Sequence, residues 1–204
     1  MLYELRTYNL RPGSLPEVLK RFGEAYRHRR RYSEMAGLWF TEFGPLNQIV
    51  HIWPYASLDE RSRIRAESSQ DPHWPPSLTD FQREMTSEIF LPFPFSPEPK
   101  PGRFGPFYEL RSYLTRAGAL PRIMAHWEKK LAARSALSPL LLAMYSEIGP
   151  LNKFVHLWPY ESLEQRAETR RKAVESGVWP PEGVDDLVAQ ESKLLLPAEF
   201  SPLQ

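Results

Sequence analysis

Histidine is the side chain that titrates near neutrality, and this sequence sets one where it could do chemistry. His51 lies between Asn47 and Trp53 in a run rich in aromatic and β-branched residues. In a strand, residues two apart share a face. His51, Trp53 and Tyr55 then share a face with Asn47, opposite Val50 and Ile52. Glu4, Arg6 and Tyr8 alternate in the same way near the N-terminus, and Glu42 shares a face with Phe40. The aliphatic pair suits packing against helices, so the polar set is expected to point into an enclosed interior. There the imidazole could serve as a base tuned by Glu42. Arg6 could hold an anion or an enolate through its planar fork.

The same residue types recur at a constant offset. YELRTY at Tyr3 to Tyr8 matches YELRSY at Tyr108 to Tyr113, and EFGPLNQIVHIWPY from Glu42 matches EIGPLNKFVHLWPY from Glu147. Trp74-Pro75-Pro76 matches Trp179-Pro180-Pro181, and Phe95-Ser96-Pro97 matches Phe200-Ser201-Pro202. Laying residues 1–99 on 106–204 gives 35 identities without a gap, at an offset of 105. The chain is therefore an internal duplication. The second set of candidates is Glu109, Arg111, Tyr113, Glu147, Asn152, His156 and Trp158. Two copies are too few for a solenoid, so a closed pair is expected. The expected organisation is one repeat over 1–91, a proline-rich linker over 92–106 and a second repeat over 107–204.

Each copy carries the signals of a β-α-β-β-α-β unit. Residues 2–10 alternate and stop at Pro12-Gly13, as a strand does. Ser14 to Glu17 fits a capping box, followed by apolar residues at helical spacing: Leu15, Val18, Leu19, Phe22 and Tyr26. Leu38 to Phe43 and Gln48 to Trp53 read as a hairpin around Gly44-Pro45-Leu46-Asn47. Ser57 to Glu60, repeated as Ser162 to Gln165, opens a second helix. A short helix with Leu78, Phe81 and Met85 and a last strand ending at Leu91 complete the copy. The order is that of ferredoxin-like units. Two such sheets, each bare on one face, can cover one another. The fold class expected is α+β, with two ferredoxin-like repeats forming an intramolecular pseudo-dimeric α/β barrel.

A structural role competes with the functional one. Charges between two sheets must be paired to be tolerable, so a Glu–Arg–Glu–His network could simply glue the two halves together. The run Arg27-His28-Arg29-Arg30-Arg31 reads as a solvated helix end, favoured by the helix dipole. His73 and His126 have no counterpart in the other copy and read as surface residues. The chain has no cysteine, 26 basic and 25 acidic residues, and net charge +1. Thiol chemistry is excluded, and nothing electrostatic calls for nucleic acid or an anionic membrane. No histidine and carboxylate grouping has metal-binding spacing, and no glycine-rich nucleotide motif is present. No metal and no cofactor are expected. The N-terminus reads directly as a strand, and no apolar run is long enough to span a bilayer; a cytoplasmic location is expected.

The pattern E-L-R-T-Y, then T-E-x-G-x-L-N-x-x-x-H-x-W-x-Y-x-S-L-x-x-R, resembles the NIPSNAP family. It stands here as Glu4 to Tyr8, then Thr41-Glu42, Gly44, Leu46-Asn47, His51, Trp53, Tyr55, Ser57-Leu58 and Arg61, and again in the second copy with Ser112 and Ser146 for the threonines. The resemblance covers nearly the whole chain and implies a dimeric α/β barrel. The family's activity is largely undefined, so it supplies no catalytic motif. The expected function is binding of a small molecule, or a protein interaction, through a polar and aromatic barrel interior. The alternative is a cofactor-independent monooxygenase or isomerase using His51, Glu42, Arg6 and their repeats. Analogy with haem-degrading barrels would make His51 or His156 an iron ligand. The sequence leaves open whether two chains pair further as a homodimer.

Overall fold

The alternating run at the N-terminus forms β1 (Leu2–Leu10) in a computed structural model that describes all 204 residues. The first half continues with α1 (Leu15–Arg29), β2 (Gly37–Phe43), β3 (Gln48–Tyr55), α2 (Leu58–Ser68) and β4 (Gln82–Pro92). The second half repeats the order as β5 (Phe107–Thr115), α3 (Leu120–Ser135), β6 (Leu142–Ile148), β7 (Lys153–Tyr160), α4 (Leu163–Glu175) and β8 (Leu187–Pro197). Within each half β4-β1-β3-β2 is the ferredoxin-like order. The two sheets join through β2 with β8 and β4 with β6 into one closed barrel in which every neighbouring pair is antiparallel.

The barrel interior is apolar. Tyr3, Leu5, Trp39, Val50 and Ile52 of the first half pack with Tyr108, Leu110, Met144, Val155 and Leu157 of the second. The rings of Trp39 and Tyr108 meet across the halves at 5.5 Å. Burying each such side chain stabilises closure by about 1.5–3 kcal/mol. This core reverses the facing expected from the sequence. Val50 and Ile52 look into the barrel, and His51, Trp53 and Tyr55 look outward beneath the helices. The reason is that a layer shared by two sheets has no water and few partners for charge. Charged strand residues are tolerable only on the outer face, where helix side chains can pair with them.

At one end of the barrel the two halves leave a polar cavity of about 350 Å³, bordered by Gln48, Glu88, Lys153 and Lys193. Lys153 pairs with Glu88 at 2.8 Å, whereas at the equivalent junction Lys193 donates to Gln48 at 2.9 Å. The junctions have therefore diverged. A barrel made of two second halves would set Lys153 against Lys193.

Each half also lends its last segment to the other. Beyond β8, Phe200 stacks on Phe22 at 6.1 Å, and Ser201 Oγ accepts the Leu38 N–H at 3.0 Å. Beyond β4, Phe93 packs on Trp127 and Phe154, and Ser96 Oγ accepts the Ala143 N–H at 2.9 Å. The serines of the repeated Phe-Ser-Pro thus strap each half to the other.

Three local expectations differ from the structure. Ser57 and Ser162 cap their helices by accepting the N–H three residues on, at 3.1 Å, but Ser14 does not. Its backbone is helical rather than extended, and its hydroxyl turns back to the Arg11 carbonyl at 2.6 Å; a capping side chain reaches forward only from extended backbone. The segment Leu78 to Met85 is not a helix. It closes a single turn, with the Phe81 and Gln82 N–H groups donating to the Leu78 carbonyl at 2.9 and 3.0 Å, and the sheet then claims the rest, with Met85 drawn into β4 opposite Tyr8. The matching segment of the second half keeps only a 3-10 turn at Val184–Asp186. β4 also runs on through Pro92, one residue further than expected.

Candidate functional site

Each half holds one pocket between the outer face of its sheet and its two helices. The first encloses about 300 Å³ and the second about 260 Å³, near the lower bound of about 300 Å³ for small-molecule sites. Strand alternation sets the floor. β1 presents Glu4, Arg6 and Tyr8, β3 presents His51, Trp53 and Tyr55, and Arg6 lies directly across from His51. α1 lays Phe22 and Arg29 over this floor, α2 adds Arg65, and Trp74-Pro75-Pro76 forms the outer wall. The second pocket is built from Arg111, Tyr113, His156, Trp158, Trp127, Arg134, Arg170 and Trp179 in the same positions.

The histidine is held in one tautomer. An indole N–H only donates, and Trp53 Nε1 donates to His51 Nδ1 at 2.6 Å. Burial, and next the Arg6 charge, press the His51 pKa down to about 3. His51 is therefore neutral with its proton on Nε2, and that buried N–H has no partner. Trp158 holds His156 in the same way at 2.6 Å, leaving its Nε2 equally unpartnered. Tyr8 and Phe22 meet the His51 ring edge to face at 4.9 and 5.1 Å. A histidine that ligates iron does so through an unprotonated nitrogen while the other nitrogen donates. Here Nδ1 is the acceptor, so this donor set does not fit an axial haem ligand.

Glu4 is fully buried and supports the cations around it. Its Oε1 accepts from Arg6 Nη1 at 2.9 Å, Arg61 Nη2 at 2.7 Å and Ser87 Oγ at 2.6 Å, with Arg65 at 3.7 Å. Burial pushes its pKa up, but the Arg61 and Ser87 hydrogen bonds and the Arg6 and Arg65 charges outweigh it and hold the carboxyl at about 2. Glu109 repeats this with Arg111, Arg166 and Ser192 and is likewise held at about 2. Every member of each network belongs to one half. The network therefore ties a helix to its own sheet, and does not join the two halves as expected from the sequence.

Arg29 is the member that sequence reasoning misplaced. It is 2% exposed rather than solvated. Its guanidinium lies 4.5 Å over the Trp53 ring and donates to Ser33 O, Ser33 Oγ and Tyr55 Oη at 3.2, 2.9 and 3.2 Å. Arg134 is 3% exposed, 4.2 Å over Trp158, and donates to Ser138 O and Tyr160 Oη at 3.3 and 3.2 Å. All these acceptors are neutral, and neither guanidinium forms an ion pair with a carboxylate. Burial pulls both pKa values down, yet an arginine stays charged. The signal was present in the sequence: Arg29 and Arg134 stand 105 apart inside a run that otherwise does not repeat. Arg65 and Arg170 are a second such pair.

Four predicted positions lie elsewhere. Glu42 and Glu147 are exposed at the ends of β2 and β6 and make no contact with the imidazoles. Neither therefore tunes a histidine. Asn47 and Asn152 are turn residues at φ 56° and 57°, a left-handed conformation that asparagine tolerates better than most residues. His28, Asp71 and His73 do come together, with their ligand atoms within 4.8 Å. Arg31 already presents its cation there, 2.6 Å from His28 Nδ1 and 3.9 Å from Asp71.

Acid should weaken the fold in two stages. Unfolded histidines take up protons below about pH 6.5 while buried His51 and His156 do not. Their contribution is complete above that pH and is lost as pH falls toward the depressed folded values. Glu4 and Glu109, held at about 2 against an ordinary 4.5, add a second loss from pH 4.5 downward. Denaturant unfolding at about pH 7.5, 5.5 and 3.5 checks this; equal stability at the first two would contradict the buried neutral histidines.

Comparison with known proteins agrees with this architecture. The NIPSNAP family model matches twice, over residues 3–97 and 108–202. The Dictyostelium discoideum protein NipSnap homolog is 30% identical over 206 residues, covering 98% of this chain and 88% of its own. The human protein NipSnap homolog 3A is 31% identical over 215 residues, covering 100% and 86%. A putative monooxygenase from Fusobacterium nucleatum superposes with a TM-score of 0.69 over 97% of this chain and 92% of that one, at 8% identity, which is a likeness of fold alone. No helix here is long and apolar enough to cross a membrane. With both halves matched by the family model and both relatives aligned along nearly its whole length, this chain belongs to the NIPSNAP family as a tandem pair of repeats.

Proposed function

We propose that the chain is a binding protein with twin pockets, each taking a small organic carboxylate. The observation that carries this is the buried guanidinium of Arg29, repeated at Arg134, which borders a cavity and has no anionic partner. A desolvated charge costs several kcal/mol unless an opposite charge meets it. The orphan Nε2–H of His51 or His156 supplies a second donor in the same cavity. In the first half, Arg6, Arg61 and Arg65 already share the one buried carboxylate, Glu4, and Arg29 has none. The ligand's charge offsets the excess, and the Trp53, Trp74 and Phe22 rings cover its body.

Use of His51 as a general base draws no support from this geometry. Its basic nitrogen is taken by Trp53, its pKa is far below neutrality, and Glu42 is remote. Calorimetric titration of the whole chain with benzoate tests the binding reading. Two equivalents are expected to bind, with affinity falling as salt rises. Absence of binding would count against it.

A further inference from the structure

The duplication provides an internal comparison, since every wall position of one pocket has a counterpart 105 residues away in the other. The anion-facing groups are shared: Arg6 and Arg111, Arg29 and Arg134, His51 and His156, Arg65 and Arg170. Apart from the repeated Trp-Pro-Pro, the wall from the end of the second helix to the start of the last strand is not shared. Ser69 of the first pocket is Val174 in the second, Thr79 is Val184, and Gln82 is Leu187. Two exchanges run the other way, Met85 to Gln190 and Leu78 to Gly183. At Gly183, with φ 96°, Ile123, Asp186 and His126 lie 3.6–3.7 Å from the place a side chain would take, so they form the wall that Leu78 forms in the first pocket. Val174 and Val184 are 62% and 49% exposed at this rim, apolar surface that a ligand tail would cover.

We infer that the two pockets have diverged in the tail they accept while keeping one head-group chemistry. The second pocket selects carboxylates with an aliphatic tail, and the first selects carboxylates whose tail carries hydroxyl groups. This rests on the carboxylate reading above. Covering valine and leucine with methylene groups removes apolar surface from water, whereas the same tail against Ser69, Thr79 and Gln82 strips polar groups of solvent without replacing their hydrogen bonds.

The tryptophans permit a test on the intact chain. Trp53 and Trp74 line the first pocket, Trp127, Trp158 and Trp179 line the second, and Trp39 is buried in the barrel as a silent reference. Fluorine NMR of the 5-fluorotryptophan-labelled protein, assigned by single Trp→Phe substitutions, would follow titrations with hexanoate and with gluconate. Hexanoate is expected to move the second-pocket resonances at about a tenfold lower concentration than the first, and gluconate to reverse the order. The double change Val174→Ser with Val184→Thr should bring the hexanoate midpoints together. Equal midpoints for both probes in the unmodified chain would overturn the divergence and leave the shared carboxylate site standing. Silence of all pocket resonances toward both probes would overturn the carboxylate reading itself.

Discussion

Replacing Arg29 and Arg134 with methionine should sharply weaken carboxylate binding while leaving the fold nearly as stable as before. Hydrogen bonds to a charged group contribute about 1.5–3 kcal/mol each, so losing the buried cation should weaken each site by roughly 10- to 100-fold or more. The stability outcome separates a binding site from a structural one. Methionine fills a similar volume against Trp53 and Trp158 and carries no charge to desolvate. The donations to Ser33, Tyr55, Ser138 and Tyr160 are lost, but the cost of burying an unpaired cation is removed with them. The net change should be within about 1–2 kcal/mol in either direction. Thermal unfolding beside a benzoate titration measures both quantities. A loss of 4 kcal/mol or more, on the scale of a broken buried ion pair, would make these arginines structural.

Glu4→Gln and Glu109→Gln should do the opposite. Glu4 Oε1 anchors Arg6, Arg61 and Ser87, and through Arg61 it fastens α2 to the sheet. An amide of the same shape leaves those guanidiniums without a counter-charge, and breaking a buried pair from one side costs about 3–5 kcal/mol. The folded carboxyl value of about 2 against 4.5 corresponds to a similar figure of about 3 kcal/mol. For a domain of this size that is a drop in melting temperature of roughly 10 °C. Adding ligand should recover part of it. Unchanged melting of Glu4→Gln would contradict the anchoring role.

The fold was legible because its signals are local and repeated. Strand alternation, the Ser57 and Ser162 caps and the Gly-Pro-Leu-Asn turns each act within a few residues, and the 105-residue offset doubles every one of them. The site was legible only as a list. Glu4, Arg6, Tyr8, His51 and Trp53 do meet, but on the outer face, because alternation says which residues share a face and not which face is the barrel's. That choice depends on whether helices can supply partners for charge. Arg61 and Arg65 supply them from α2 across more than 50 residues of sequence. Arg29 escaped notice because four basic neighbours made it look like a solvated helix end. Helical geometry turns just one residue of that run inward, onto Trp53.

The most direct measurement is a crystal structure of the whole chain with 4-bromobenzoate, read through the anomalous signal of bromine. Two sites are expected, one in each half. Each carboxylate should accept from the histidine Nε2 and the buried arginine, with its ring against Trp53 and Trp74 or against Trp158 and Trp179. Bromine found only in the polar cavity at the barrel end, only at the surface, or in neither half would contradict twin-pocket binding.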